Sequence, residues 1–145
     1  MRILLSLAML LTAGSMLVMP IEVLAHGTEK HDHMVPTDVQ MKKLHAMMPM
    51  FSLASANMET ALEKGEIAVL ESEAEKITAA IPELKKSKPH KNIKQRSKFV
   101  DHASNLEKAV MTTVDLAKKG DLVEAKAAYK KVEETCAACH AKFRD

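Results

Sequence analysis

Two thiols and an imidazole carry the most distinctive chemistry in this chain, in the run Cys136-Ala137-Ala138-Cys139-His140. The pattern C-x-x-C-H is a signature of covalent haem attachment. Its spacing has a physical basis. Thiols three residues apart lie on one helical turn, so each can add to one vinyl group of a single porphyrin. The imidazole one residue further on then lies under the ring and can ligate iron. The chain holds two cysteines, and both belong to this motif. A Cys136–Cys139 disulfide or a dithiol redox pair is the competing reading. Redox C-x-x-C pairs usually open a helix in a βαβ unit, and the chain has no strand-like alternation to supply one.

Haem attachment of this kind needs export, and the N-terminus is consistent with it. Met1-Arg2 is a short basic start, followed by an apolar run from Ile3 to Val18 that Thr12, Gly14 and Ser15 interrupt. Val23-Leu24-Ala25 is a small-residue cleavage site. Residues 1–25 therefore read as a secretory signal cut before His26, and the expected location is the periplasm. An uncleaved anchor is the alternative, but the run is short and broken. No later segment is long and apolar enough to span a bilayer, so no stable membrane insertion is expected after cleavage.

Residues 26–36 read as a flexible polar segment, and 37–145 as one domain of the roughly 120-residue mature chain. The net charge is +2 and survives loss of Arg2 and Glu22, which gives no case for a nucleic-acid partner. Lys85, Lys86, Lys88, Lys91, Lys94, Arg96 and Lys98 form a basic stretch that could dock an acidic redox partner. There is no Trp, and the aromatics are Phe51, Phe99, Tyr129 and Phe143. A core so poor in rings is easier to fill with a large flat apolar group inside it.

The elements that must position the motif read as four amphipathic helices, an all-α antiparallel bundle. The first caps at Thr37 with Gln40 in support and ends at Lys64-Gly65. Its stripe is Leu44, Met48, Phe51, Ser55, Met58 and Leu62, and Pro49 should kink or restart it. The second spans about Ile67 to Ala80 and stops before Pro82. A polar connection from Glu83 to Lys91 follows. The third caps at Asn92 with Gln95, carries Phe99, Ala103, Leu106, Val110, Thr113 and Ala117, and ends at Lys119-Gly120. The fourth caps at Asp121 with Glu124 and carries Leu122, Ala125, Tyr129, Val132, Cys136, Cys139 and Phe143. The cysteines thus lie on the face that would otherwise be core, which holds the haem inside the bundle.

A C-x-x-C-H motif on the last of four helices resembles the class II c-type cytochromes, the cytochrome c-prime family. The likeness is specific from Gly120-Asp121-Leu122 through Cys136 to Arg144. From Thr37 to Leu116 it rests on helix lengths and stripe phase, and it does not reach His26 to Pro36. The resemblance implies one covalent haem c on Cys136 and Cys139, with His140 as proximal iron ligand. It also implies that Arg144, one turn on, is a basic residue beside that histidine; an ordinary cation at a helix C-terminus is the plainer reading. A homodimer through the first two helices would follow the family.

Family members differ in the residue that the first helix presents to the other haem face. The stripe puts Met48 there, with Met47 or Met50 as register alternatives. His/Met ligation favours ferrous iron and suits electron transfer. An apolar residue would leave a five-coordinate site open to NO or CO, with Met48 as packing. His45 lies about 60° around the helix from Met48 and His102 flanks the third stripe, so both are weaker rivals.

A more remote alternative is periplasmic copper handling. Six methionines fall between Met34 and Met58, including Met47-Met48-Pro49-Met50, and thioethers suit Cu(I). His26, His31 and His33 could add imidazoles. No enzyme is expected, since the chain has no phosphate loop, no nucleophile with a matching base and no paired carboxylates. Glu71, Glu73 and Glu75 read as a solvated face of helix two.

Overall fold

The computed structural model describes residues 39–144. The expected signal peptide, the polar segment to Pro36 and the Thr37 cap all lie outside the described residues. Within them the chain forms α1 (Val39–Lys64), α2 (Ile67–Lys86), a 3₁₀ turn (Ile93–Gln95), α3 (Arg96–Lys118) and α4 (Leu122–Phe143), with no strand among the described residues. The all-α four-helix bundle expected from the sequence is what forms.

Two of the three connections follow from glycine. Gly65 and Gly120 take positive φ of 71° and 82°, a region that costs other residues a Cβ clash. At Gly120 both bonds of a Schellman cap close: its N–H donates to Ala117 and the Asp121 N–H to Leu116. Asp121 then opens α4 by accepting the Glu124 N–H at 3.0 Å, the cap expected from the sequence.

The second helix corrects the sequence reading. It runs through Pro82 to Lys86 rather than stopping at Ala80. A mid-helix proline removes one backbone bond, at a cost of about 3 kcal/mol. Continuing past it keeps Ile81 and Leu84 buried, each worth roughly 1.5–3 kcal/mol, which offsets that cost. The helix then closes at Ser87, whose N–H donates to Glu83 and Leu84 and whose hydroxyl donates to Glu83. Pro49 likewise neither ends nor restarts α1.

Asn92 is a second correction. It is left-handed at φ 56°, and its side chain does not cap a helix. Its Oδ1 accepts from Gln95 and its Nδ2 donates to the Lys142 carbonyl, so it ties the α2–α3 connection to the end of α4. A 3₁₀ turn precedes α3 instead.

The α3 stripe packs wholly as read, whereas Met48 and Ser55 on α1 and Leu122, Cys136 and Cys139 on α4 are only partly buried. All six stripe residues of α3 are buried, and the Thr113 hydroxyl is satisfied by the Ala109 carbonyl. Neighbouring helices in the chain pack closely, whereas α1 and α4 touch at few places. Three contacts fix their relation. A Cβ at Gly65 would meet Leu122; Ser55 bonds Tyr129; and His45 meets His90, whose N–H donates to the Phe143 carbonyl. The two helices are therefore antiparallel, with the start of α1 beside the end of α4.

Candidate haem-attachment site

Tyr129 sets the register of the α1–α4 seam. Its hydroxyl donates to the Ser55 carbonyl at 2.7 Å and lies 2.8 Å from the Ser55 hydroxyl. Seven residues are nearly two helical turns, so one heptad changes facing by only about 20°. Met48 stands one heptad before Ser55 on α1, and Cys136 one heptad after Tyr129 on α4. In antiparallel helices both steps lead in the same direction by about 10 Å. Met48 and Cys136 are thus at one level on facing sides of the seam. Met47 and Met50 lie roughly 100° and 160° further around α1, toward its core centre and α2.

The α1–α4 seam at this level is less sealed than the centre of the core. Met47, Met48, Met50, Cys136 and Cys139 are all only partly buried and lean on the core cluster. By contrast Met58, Leu62, Leu70, Val110 and Val132 are fully enclosed. Thioethers and thiols are therefore gathered where a flat apolar group would be inserted. Two surface grooves of about 320 and 310 Å³ lie on the α3–α4 and α2–α3 faces, and none of these five residues lines them.

Electrostatics at the motif suit ligation rather than thiol redox chemistry. Both cysteines are free thiols. Burial pushes the Cys136 thiol up, and Glu133 adds to this. Burial, helped by Cys136, pushes Cys139 up to about 11. Reactive redox cysteines have depressed values, so this pair lacks the thiolate that a dithiol exchanger needs. His140 shifts the other way. His140 is exposed at the surface, yet desolvation by its neighbours and then the Arg144 charge lower it, which favours the neutral imidazole that a metal binds. Arg144 follows the helix, and its N–H donates to the His140 carbonyl. The donor set of two thiols and a neutral imidazole on one helical turn fits a c-type haem.

Comparison with known proteins decides the family. The Cytochrome C' family model matches residues 28–144, which include all four helices. The chain belongs to the cytochrome c-prime family. It is therefore a haem-binding c-type cytochrome. No curated protein and no solved structure matches it.

Other expectations fare unevenly in this cytochrome. His45 is exposed and bonds His90 at the surface end of the seam. His102 rests edge-on against Phe143 at the margin of the core. Glu71, Glu73 and Glu75 are not one solvated face, because alternate residues point about 200° apart on a helix. Glu75 is exposed, Glu73 is buried and bonded to Lys76 at 2.6 Å, and Glu71 pairs with Lys118. Part of the basic stretch is engaged: Lys85 with Glu107, Lys86 with Glu83, and Arg96 with the Ser87 and Lys85 carbonyls. Lys91, Lys94 and Lys98 are exposed.

Sequence reasoning missed the Ser55–Tyr129 tie and the His45–His90 pair. Ser55 and Tyr129 were both on core stripes, so a hydroxyl partner for each was a readable need. Nothing local links His45 to His90.

Proposed function

We propose that this cytochrome is a periplasmic single-haem electron carrier, exported by residues 1–25 and folded over 37–145. Cys136 and Cys139 hold the haem as thioethers, His140 is the proximal ligand, and Met48 is the distal ligand. The observation that carries the reading is the Ser55–Tyr129 contact. One heptad along, it supports Met48 over Met47 and Met50 as the thioether opposite Cys136.

When bound, the haem supplies a one-electron iron couple whose potential depends on axial ligand, burial and nearby charge. The residues present act on each of these. The Met48 thioether favours the ferrous state. His140, exposed at the end of α4, is shifted toward its neutral form by desolvation and by the Arg144 charge. Exposed Lys91 and Lys94 flank the connection that bonds to Lys142 and Phe143, so cationic side chains cluster at the haem end, where an acidic redox partner would dock. The five-coordinate, gas-binding reading draws on the packing of Met48 against the core, as a filler side chain would pack.

Intact mass under denaturing conditions tests the attachment. After expression with c-type maturation, the chain begins at His26 and carries one haem that acid and organic solvent do not extract. A Cys136→Ala, Cys139→Ala double variant that keeps its haem under those conditions would defeat the assignment.

A further inference from the structure

His45 and His90 come from elements 45 residues apart and meet at the surface end of the seam. Their Nε2 atoms are 2.9 Å apart and their rings are within 18° of parallel. Both donors sit on fixed backbone. His45 is inside α1. His90 is pinned because its own N–H and that of Lys91 donate to the Phe143 carbonyl, each at 3.1 Å. Arg96 fastens the same connection through the Ser87 carbonyl, and Pro89 within it is buried.

We propose that His45 and His90 form a two-imidazole site for Cu(II), separate from the haem ligands. Imidazole nitrogens bind first-row metals at about 2.0–2.1 Å. Two such nitrogens 2.9 Å apart subtend about 90° at the metal. That is the cis angle of a tetragonal site, whereas tetrahedral Zn(II) would need about 3.3 Å. Imidazole and tetragonal geometry select Cu(II), which also leads the divalent affinity order. In the neutral pair one ring donates its Nε2 proton to the other. On binding, that proton moves to Nδ1, so both Nε2 lone pairs face the metal without net proton release. Among the described residues no set of three or more His, Cys, Asp or Glu side chains converges on a metal position, so the site proposed is a two-imidazole one.

The test is Cu(II) titration of the mature ferric holoprotein, by calorimetry and by electron paramagnetic resonance, in parallel with His45→Ala, His90→Ala, His102→Ala and a His26→Ala, His31→Ala, His33→Ala triple variant. One copper should bind to wild type with nitrogen splitting from two imidazoles. Each of His45→Ala and His90→Ala should weaken that site roughly tenfold or more, with helical circular dichroism unchanged. His102→Ala and the triple variant should retain it. Wild-type affinity in both His45→Ala and His90→Ala, loss in only one of them, or loss only in the triple variant would each overturn the proposal. Because the haem stays bound in every variant, this outcome is read independently of the distal-ligand assignment.

Discussion

Replacing Tyr129 with Phe removes one hydroxyl and tests the register on which the haem seam depends. That hydroxyl makes two contacts to Ser55, at 2.7 and 2.8 Å, and the ring is 5% exposed. A hydrogen bond of this kind contributes about 0.5–1.5 kcal/mol net. The Ser55 carbonyl is inside α1 and keeps its helical partner, so no orphaned acceptor adds to the loss. Tyr129→Phe should therefore cost about 1–2 kcal/mol, and Ser55→Ala about 0.5–1 kcal/mol because it leaves the carbonyl contact intact. For a domain of this size the larger loss corresponds to roughly 5–10 °C in Tm. Guanidinium and thermal unfolding of the ferric holoproteins measure it, and the double variant should show a coupling of about 0.5–1 kcal/mol. A second signature comes from pH. Burial, the largest cause, raises the Tyr129 hydroxyl above its ordinary value of 10.0. The folded state then keeps a proton that the unfolded chain releases, so this contribution is complete below about pH 10 and is lost as pH rises through the folded value. Tyr129→Phe should lose stability less steeply than wild type in that alkaline window. A Tyr129→Phe variant as stable as wild type, with strict additivity in the double variant, would mean that Tyr129 does not reach α1, and the placement of Met48 opposite Cys136 would fall with it.

Gly120→Ala should cost about 1 kcal/mol by denaturant melts. Open space surrounds the new Cβ and only the φ of 82° opposes it, so a neutral result would mean a different turn. Glu73→Gln should destabilise at neutral pH. The Lys76 hydrogen bond, as the largest cause, holds the Glu73 carboxyl below its ordinary range, so its contribution is present above that range and is lost as pH falls through it. The melting curves of variant and wild type should converge in acid. A gap that persists unchanged to pH 3 would contradict the ion pair.

Residues whose burial follows from period alone were legible in the sequence. The α3 stripe from Phe99 to Ala117 is buried without exception, because one helix face must leave water whatever its neighbours are. The Gly65 and Gly120 turns and the Asp121 cap were legible because their chemistry is local. Pro82 was not, because its local cost is outweighed by the burial of Ile81 and Leu84, a tertiary gain that no propensity reveals. Asn92 fits a capping pattern, yet its amide is drawn to the Lys142 carbonyl on another helix. Glu73 is buried where spacing by two residues resembled a solvated row. At the proposed site, Cys136, Cys139 and His140 stand out in five consecutive residues, whereas the proposal of Met48 over its neighbours rests on a contact between residues 74 positions apart.

The most direct test of the account is the ferric optical and near-infrared spectrum of the holoprotein beside Met48→Ala, Met47→Ala and Met50→Ala. The account predicts a low-spin wild type with a sulfur-to-iron charge-transfer band. That band should vanish in Met48→Ala alone, with conversion to high spin. A high-spin wild type, or a band that survives Met48→Ala and vanishes in Met47→Ala or Met50→Ala, would contradict it.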